Sequence, residues 1–126
     1  MNNGLNLVFK SFVVVLISAL LLACGGSDAT GRAALRAVEG GALLIDVRTT
    51  EEFAGGHLPD AINIPHGDIV AGVQALQADK TASIVLYCRS GNRSGIAEGS
   101  LREAGYSNVV NAGAYSELQP VWDSRS

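Results

Sequence analysis

Cys88 stands in the run Tyr87-Cys88-Arg89-Ser90-Gly91-Asn92-Arg93-Ser94, where an apolar stretch beginning at Ile84 gives way to small, polar and basic residues. A thiol attacks as its thiolate, and ionisation is favoured by backbone N–H groups, a helix N-terminus and nearby cations. The run offers all three. A helical pattern begins at Ser94, so the partial positive charge of a helix start faces the sulfur. Ser90, Gly91 and Asn92 are expected as backbone donors, because small residues let successive N–H groups curl into an anion-binding nest. Gly91 can take a positive φ without steric cost. Arg93 is read as an anion ligand closing the loop, with simple solvation of the first helical turn as the lesser alternative, and Arg89 as an entrance residue that steers an anionic substrate. Ser94 either caps the helix or hydrogen-bonds the sulfur. A strand-terminal cysteine on its own is more often inert core, but inert sulfur needs no such company. The chemistry expected here is nucleophilic, through a covalent intermediate on Cys88.

Other titratable residues cluster nearby in sequence. Asp46 and Arg48 end an earlier apolar run, and two readings compete: a brace that positions the cysteine loop, or a structural ion pair in which Arg48 meets Glu51 or Glu52. The second carries more weight, since charged pairs at strand ends are common and contribute little. His57, in Gly56-His57-Leu58-Pro59, is expected to order a turn through its ring N–H, because an ionised thiol needs no general base. Tyr87 is read as core.

These residues need elements to hold them. Apolar runs of strand length occur at 42–47, 61–64, 83–87 and 108–110, and helical patterns at 32–38, 51–54, 68–76 and 94–104. Ile69, Val70, Val73 and Leu76 fall on one face of the third helix, and Ile96, Ala97, Leu101 and Ala104 on one face of the fourth. Tyr115, Leu118 and Trp122 suggest a last short helix packed on the sheet. Strands alternating with helices imply parallel pairing by right-handed crossovers, with helices on both faces of a small parallel sheet. The expected class is therefore three-layer α/β/α, with the site at the carboxyl ends of the strands, after Val47, Ile64 and Tyr87.

The chain of 126 residues carries a formal charge of −3 and no basic run, which gives no electrostatic case for nucleic acid. Residues 1–23 hold one basic side chain, Lys10, no acid, and the apolar run Ser11 to Ala23. This describes an export signal, and the run is short for a membrane span of about 20 residues. The sequence Leu21-Leu22-Ala23-Cys24-Gly25 resembles a bacterial lipobox, in which Cys24 is lipidated and begins the mature chain. Residues 24–30 are small and polar and read as a flexible tether, leaving 31–126 as one domain. The expected location is the bacterial cell envelope, anchored by lipid and facing the periplasm or the exterior. With Cys24 lipidated, Cys88 has no disulfide partner, and no Cys-x-x-Cys supports a redox role.

Leu44-Ile45-Asp46-Val47-Arg48, Glu51-Glu52-Phe53, Gly56-His57-Leu58-Pro59, Ala61-Ile62-Asn63-Ile64-Pro65, the Cys88 run and Asn111-Ala112-Gly113 resemble, in this order, the landmarks of rhodanese domains. The small, exported single-domain members are the nearest in character. The resemblance implies a sulfurtransferase that uses no metal or organic cofactor: Cys88 takes sulfur from thiosulfate or a similar anion, holds it as a persulfide, and passes it to a thiol or cyanide. A monomer is expected. Four residues separate Cys88 from Arg93, one fewer than in cysteine phosphatases, which disfavours a phosphatase or arsenate reductase. A non-catalytic binding module on the same fold is the other alternative, and the intact thiol loop argues against it.

Overall fold

The protein is described by a computed structural model over residues 26–125. The signal segment and Cys24 lie outside these residues. Four strands form one parallel sheet: β1 (Leu43–Asp46), β2 (Ile62–Asn63), β3 (Ile84–Cys88) and β4 (Val109–Ala114), in the order β2-β1-β3-β4. Among the described residues five helices connect and cover them: α1 (Gly26–Glu39), α2 (Thr50–Ala54), α3 (Ile69–Ala75), α4 (Asn92–Glu103) and α5 (Tyr115–Asp123), with a 3-10 turn at His66–Asp68 before α3.

The central strands are apolar on both sides because helices cover both sides. From β1 and β3, Ile45, Ile84, Leu86 and Cys88 point to one face, where Val73, Ala97 and Leu101 of α3 and α4 pack. Leu44, Val85 and Tyr87 point to the other, against Ala34 of α1 and Leu118 and Trp122 of α5. The edge strands are less uniform: Ile62 and Val110 are exposed. Leu76 and Ile96 also face solvent, against the helical-face expectation. Leu76 already terminates α3 as its C-cap, and in α4 the buried face runs through Ser94, Ala97 and Leu101, which turns Ile96 outward.

The helix expected from Arg32 begins at Gly26, so the tether expected at residues 24–30 is helical from Gly26 onward. Composition misleads here because the helix is anchored further along. Gly31 is buried against Val121 and Leu118 of α5. From that anchor the helix extends back through Ala29, a strong helix former, and Asp28, whose charge suits a helix start.

Candidate active site

β3 delivers Cys88 to the carboxyl edge of the sheet, fully buried at its last residue. Gly91 follows as the N-cap of α4 with φ 95°, the left-handed conformation that glycine adopts freely. That turn aims the Gly91 N–H at the sulfur, 2.9 Å from Sγ. Ser94, also fully buried, places its Oγ 3.3 Å from Sγ. It does not cap the helix, since Gly91 holds that position without side-chain help.

Burial alone would push the Cys88 thiol up. The Ser94 hydroxyl and the backbone N–H groups of Ser94, Ser90 and Gly91 outweigh it, and the thiol lies below its ordinary value. These donors belong to the loop and the first turn of α4, and Asn92, expected with Ser90 and Gly91, is not among them.

Asn111 is the residue whose role the sequence reading did not assign. Its side-chain oxygen accepts from Ser94 Oγ at 2.7 Å and from the Gly113 N–H at 3.0 Å, while its Nδ2 donates to the Gly91 carbonyl at 3.0 Å. A register shift between Leu86 and Tyr87 on β3 leaves Ala112 unpaired in the β3–β4 ladder. The bulge positions this carboxamide, and Glu98 of α4 accepts the Asn111 N–H at 3.0 Å. One side chain thus fastens both the glycine that aims its N–H at the sulfur and the serine beside it. An Asn in a strand, followed by a glycine at φ 98°, was the available signal, because both are disfavoured in regular strands.

Asp46 and Arg48 form the second buried group, and their partners differ from the expected ones. Arg48 pairs with Asp46, not with Glu51 or Glu52: Nη2 lies 2.6 Å from Oδ2, and Nε bridges both carboxylate oxygens at 3.0 and 3.1 Å. Two residues apart on an extended segment, the side chains share a side of the chain. Arg48 also donates to the Gly56 carbonyl at 2.7 Å and lies 4.5 Å over the Tyr115 ring. Hydrogen bonding to Asp46 raises the Arg48 pKa further, against the effect of burial. Tyr87 is buried beside them. Burial is the main reason its phenol is held above its ordinary value, and its oxygen accepts the Leu58 N–H at 3.0 Å. The group ties the 55–58 loop to the sheet. His57 stays outside, its Nδ1 2.9 Å from the Phe53 carbonyl and its ring stacked on Phe53 at 3.7 Å.

Glu52 is engaged by Arg93. Nη1 and Nη2 of Arg93 donate to its two oxygens at 2.7 and 3.0 Å, a bidentate pair across 41 residues. The carboxyl is held down to about 2, first by the Arg93 hydrogen bond and next, after the opposing effect of burial, by the Thr49 N–H. Arg93, expected as an anion ligand, meets the Glu52 carboxylate. Arg89, Ser90 and Asn92 are exposed. Beside the loop opens a cleft of about 550 Å³, lined by Arg48, Glu51, Glu52, Arg89, Tyr115 and Ser116. Among the described residues no cluster of three or more His, Cys, Asp or Glu side chains is placed to hold a metal ion.

The family described as the rhodanese-like domain matches residues 30–119. Thiosulfate sulfurtransferase PspE of Escherichia coli is 36% identical over 74 residues, 59% of this chain and 71% of that protein. Human thiosulfate:glutathione sulfurtransferase is 37% identical over 91 residues, 62% of this chain and 79% of that protein. Among solved structures, the human single-domain sulfurtransferase TSTD1 superimposes with a TM-score of 0.58 at 33% identity, covering 71% of this chain and 88% of that one. A rhodanese with anions from E. coli gives 0.57 at 36% identity over 60% and 88%.

Proposed function

Since this chain belongs to the rhodanese-like domain family, with the general sulfurtransferase role of its relatives, we propose that it moves a sulfane sulfur from thiosulfate or a similar anion, through a persulfide on Cys88, to a thiol or cyanide. The observation that carries this reading is the Gly91 N–H aimed at Sγ at 2.9 Å, with the Ser94 hydroxyl beside it. A thiolate so held attacks the outer sulfur of thiosulfate. The sulfur–sulfur bond of the donor breaks, sulfite leaves with the electron pair, and the negative charge moves to the outer persulfide sulfur. A thiolate or cyanide then attacks that sulfur and returns the Cys88 thiolate. Splitting the transfer in two is covalent catalysis, and the loop donors that stabilise the thiolate are within reach of the persulfide charge as well.

Arg89 guides the donor to the cleft, and Asp46 and Arg48 brace the adjoining loop. The protein is tethered to the cell envelope by lipid on Cys24, a reading supported by the apolar run that ends there. The Cys24→Ser chain should then fractionate away from membranes, and retention of its signal in the membrane would count against a lipid anchor. The catalytic reading is tested by thiocyanate formation from thiosulfate and cyanide. Cys88→Ser should abolish it while melting normally, because an alcohol keeps the shape but forms no persulfide; residual turnover by that variant would remove Cys88 from the mechanism.

A further inference from the structure

We propose that Glu52 sets the anion affinity of the site by holding the Arg93 guanidinium in a bidentate pair, which limits how tightly dianions bind beside Cys88. The inference rests on the sulfurtransferase reading for its purpose and on the geometry for its substance. Arg93 occupies the first turn of α4, two residues past the N-cap whose N–H donates to Sγ. A charge on Cys88 raises the Arg93 pKa, after the larger effect of Glu52, so the two groups lie within electrostatic reach. Yet both terminal nitrogens of Arg93 meet Glu52, and Arg48 meets Asp46. Of the three guanidinium groups around the cysteine loop, Arg89 alone makes no ion pair among the described residues.

A site that takes in one dianion and must release another gains little from binding both more tightly. Interactions shared equally by donor and leaving product lower KM without speeding the chemistry, and they slow product departure. Thiosulfate and sulfite are both dianions. A neutralised Arg93 moderates the affinity for each, and the thiolate is served instead by N–H groups and a hydroxyl, which carry no formal charge.

Glu52→Gln separates this role from a structural one. Glu52 is also the N3 residue of the capping box that starts α2, accepting from the Thr49 N–H at 3.2 Å. Glutamine satisfies that box equally well, so the variant removes the charge and keeps the cap. Freeing Arg93 adds one uncompensated positive charge beside the anion, so a bound dianion should tighten about five- to tenfold.

The measurement is protection of Cys88 from iodoacetamide by sulfate and by sulfite in the full-length protein, together with KM for thiosulfate. In Glu52→Gln the half-protecting concentrations and KM should fall together by that factor. Glu51→Gln removes the same charge from the same cleft without releasing Arg93, and its effect should be clearly smaller. Unchanged or weakened anion binding in Glu52→Gln, or equal tightening in the two variants, would overturn the proposal. Protection reads anion binding without turnover, so a protein that binds sulfate in the expected order but forms no persulfide would fault the sulfurtransferase reading and leave Glu52's role standing.

Discussion

Ser94→Ala isolates the side-chain donor at the sulfur. The hydroxyl lies 3.3 Å from Sγ, 3.1 Å from the Gly91 carbonyl and 2.7 Å from the Asn111 side-chain oxygen, with one proton to give. A hydrogen bond to a charged group contributes about 1.5–3 kcal/mol, and a donor shared with a closer neutral acceptor contributes less, about 1 kcal/mol. The thiolate would be populated about fivefold less at a pH well below the thiol's ordinary value of about 8.5. The fold should tolerate the change. Asn111 keeps the Gly113 N–H and Gly91 keeps the Asn111 amide, so no buried acceptor loses its last partner. The assay is the rate of Cys88 alkylation by iodoacetamide as a function of pH. The variant should be about fivefold slower near pH 6, and the two curves should meet in alkali, where both thiols are ionised. Coincident curves at every pH would refute the assignment of Ser94 as a donor to the sulfur.

Asp46→Ala leaves Arg48 buried without its carboxylate and should cost about 3–5 kcal/mol in a urea titration; a loss below about 1 kcal/mol would show the pair to be dispensable. Gly91→Ala meets no close atom, the nearest being the Gly113 Cα at 3.5 Å from the added carbon. It must still hold φ 95° with a side chain, so stability should fall by about 1–2 kcal/mol and alkylation at acidic pH should slow; normal values of both would deny the loop its left-handed turn. The Glu52–Arg93 pair should contribute about 1 kcal/mol after solvent screening. Because the carboxyl is lowered from 4.5 to about 2, this stability is full above pH 4.5 and disappears as pH falls toward 2. The stability difference between the protein and Glu52→Gln should shrink across that window, and a constant difference would contradict the pairing.

The strands were legible because burial on both faces writes them as continuous apolar runs, and Cys88 because small and basic residues crowd the place where β3 ends. Both are local signals. The network that holds the sulfur's donors is not local. Asn111 reaches Ser94 and Gly91 through a bulge, and Glu52 reaches Arg93 across 41 residues. Either contact depends on the relation between two elements that sequence patterns specify separately. The Arg48 partner was missed for a different reason: Glu51 and Glu52 are close along the chain, but extended backbone places Asp46 on the same side as Arg48. Leu76 and Ile96 fit a helical face by periodicity and yet face solvent, since periodicity identifies a stripe but not how far the packing on it extends. The early start of α1 follows from Gly31 meeting α5, which the composition of residues 24–30 does not contain.

Whether Cys88 carries the transferred sulfur is read from the intact mass of the purified full-length protein after thiosulfate treatment. A persulfide adds about 32 Da, located on Cys88, removed by cyanide and absent from Cys88→Ser. An unchanged mass in a protein whose Cys88 alkylates readily would contradict sulfur transfer through Cys88.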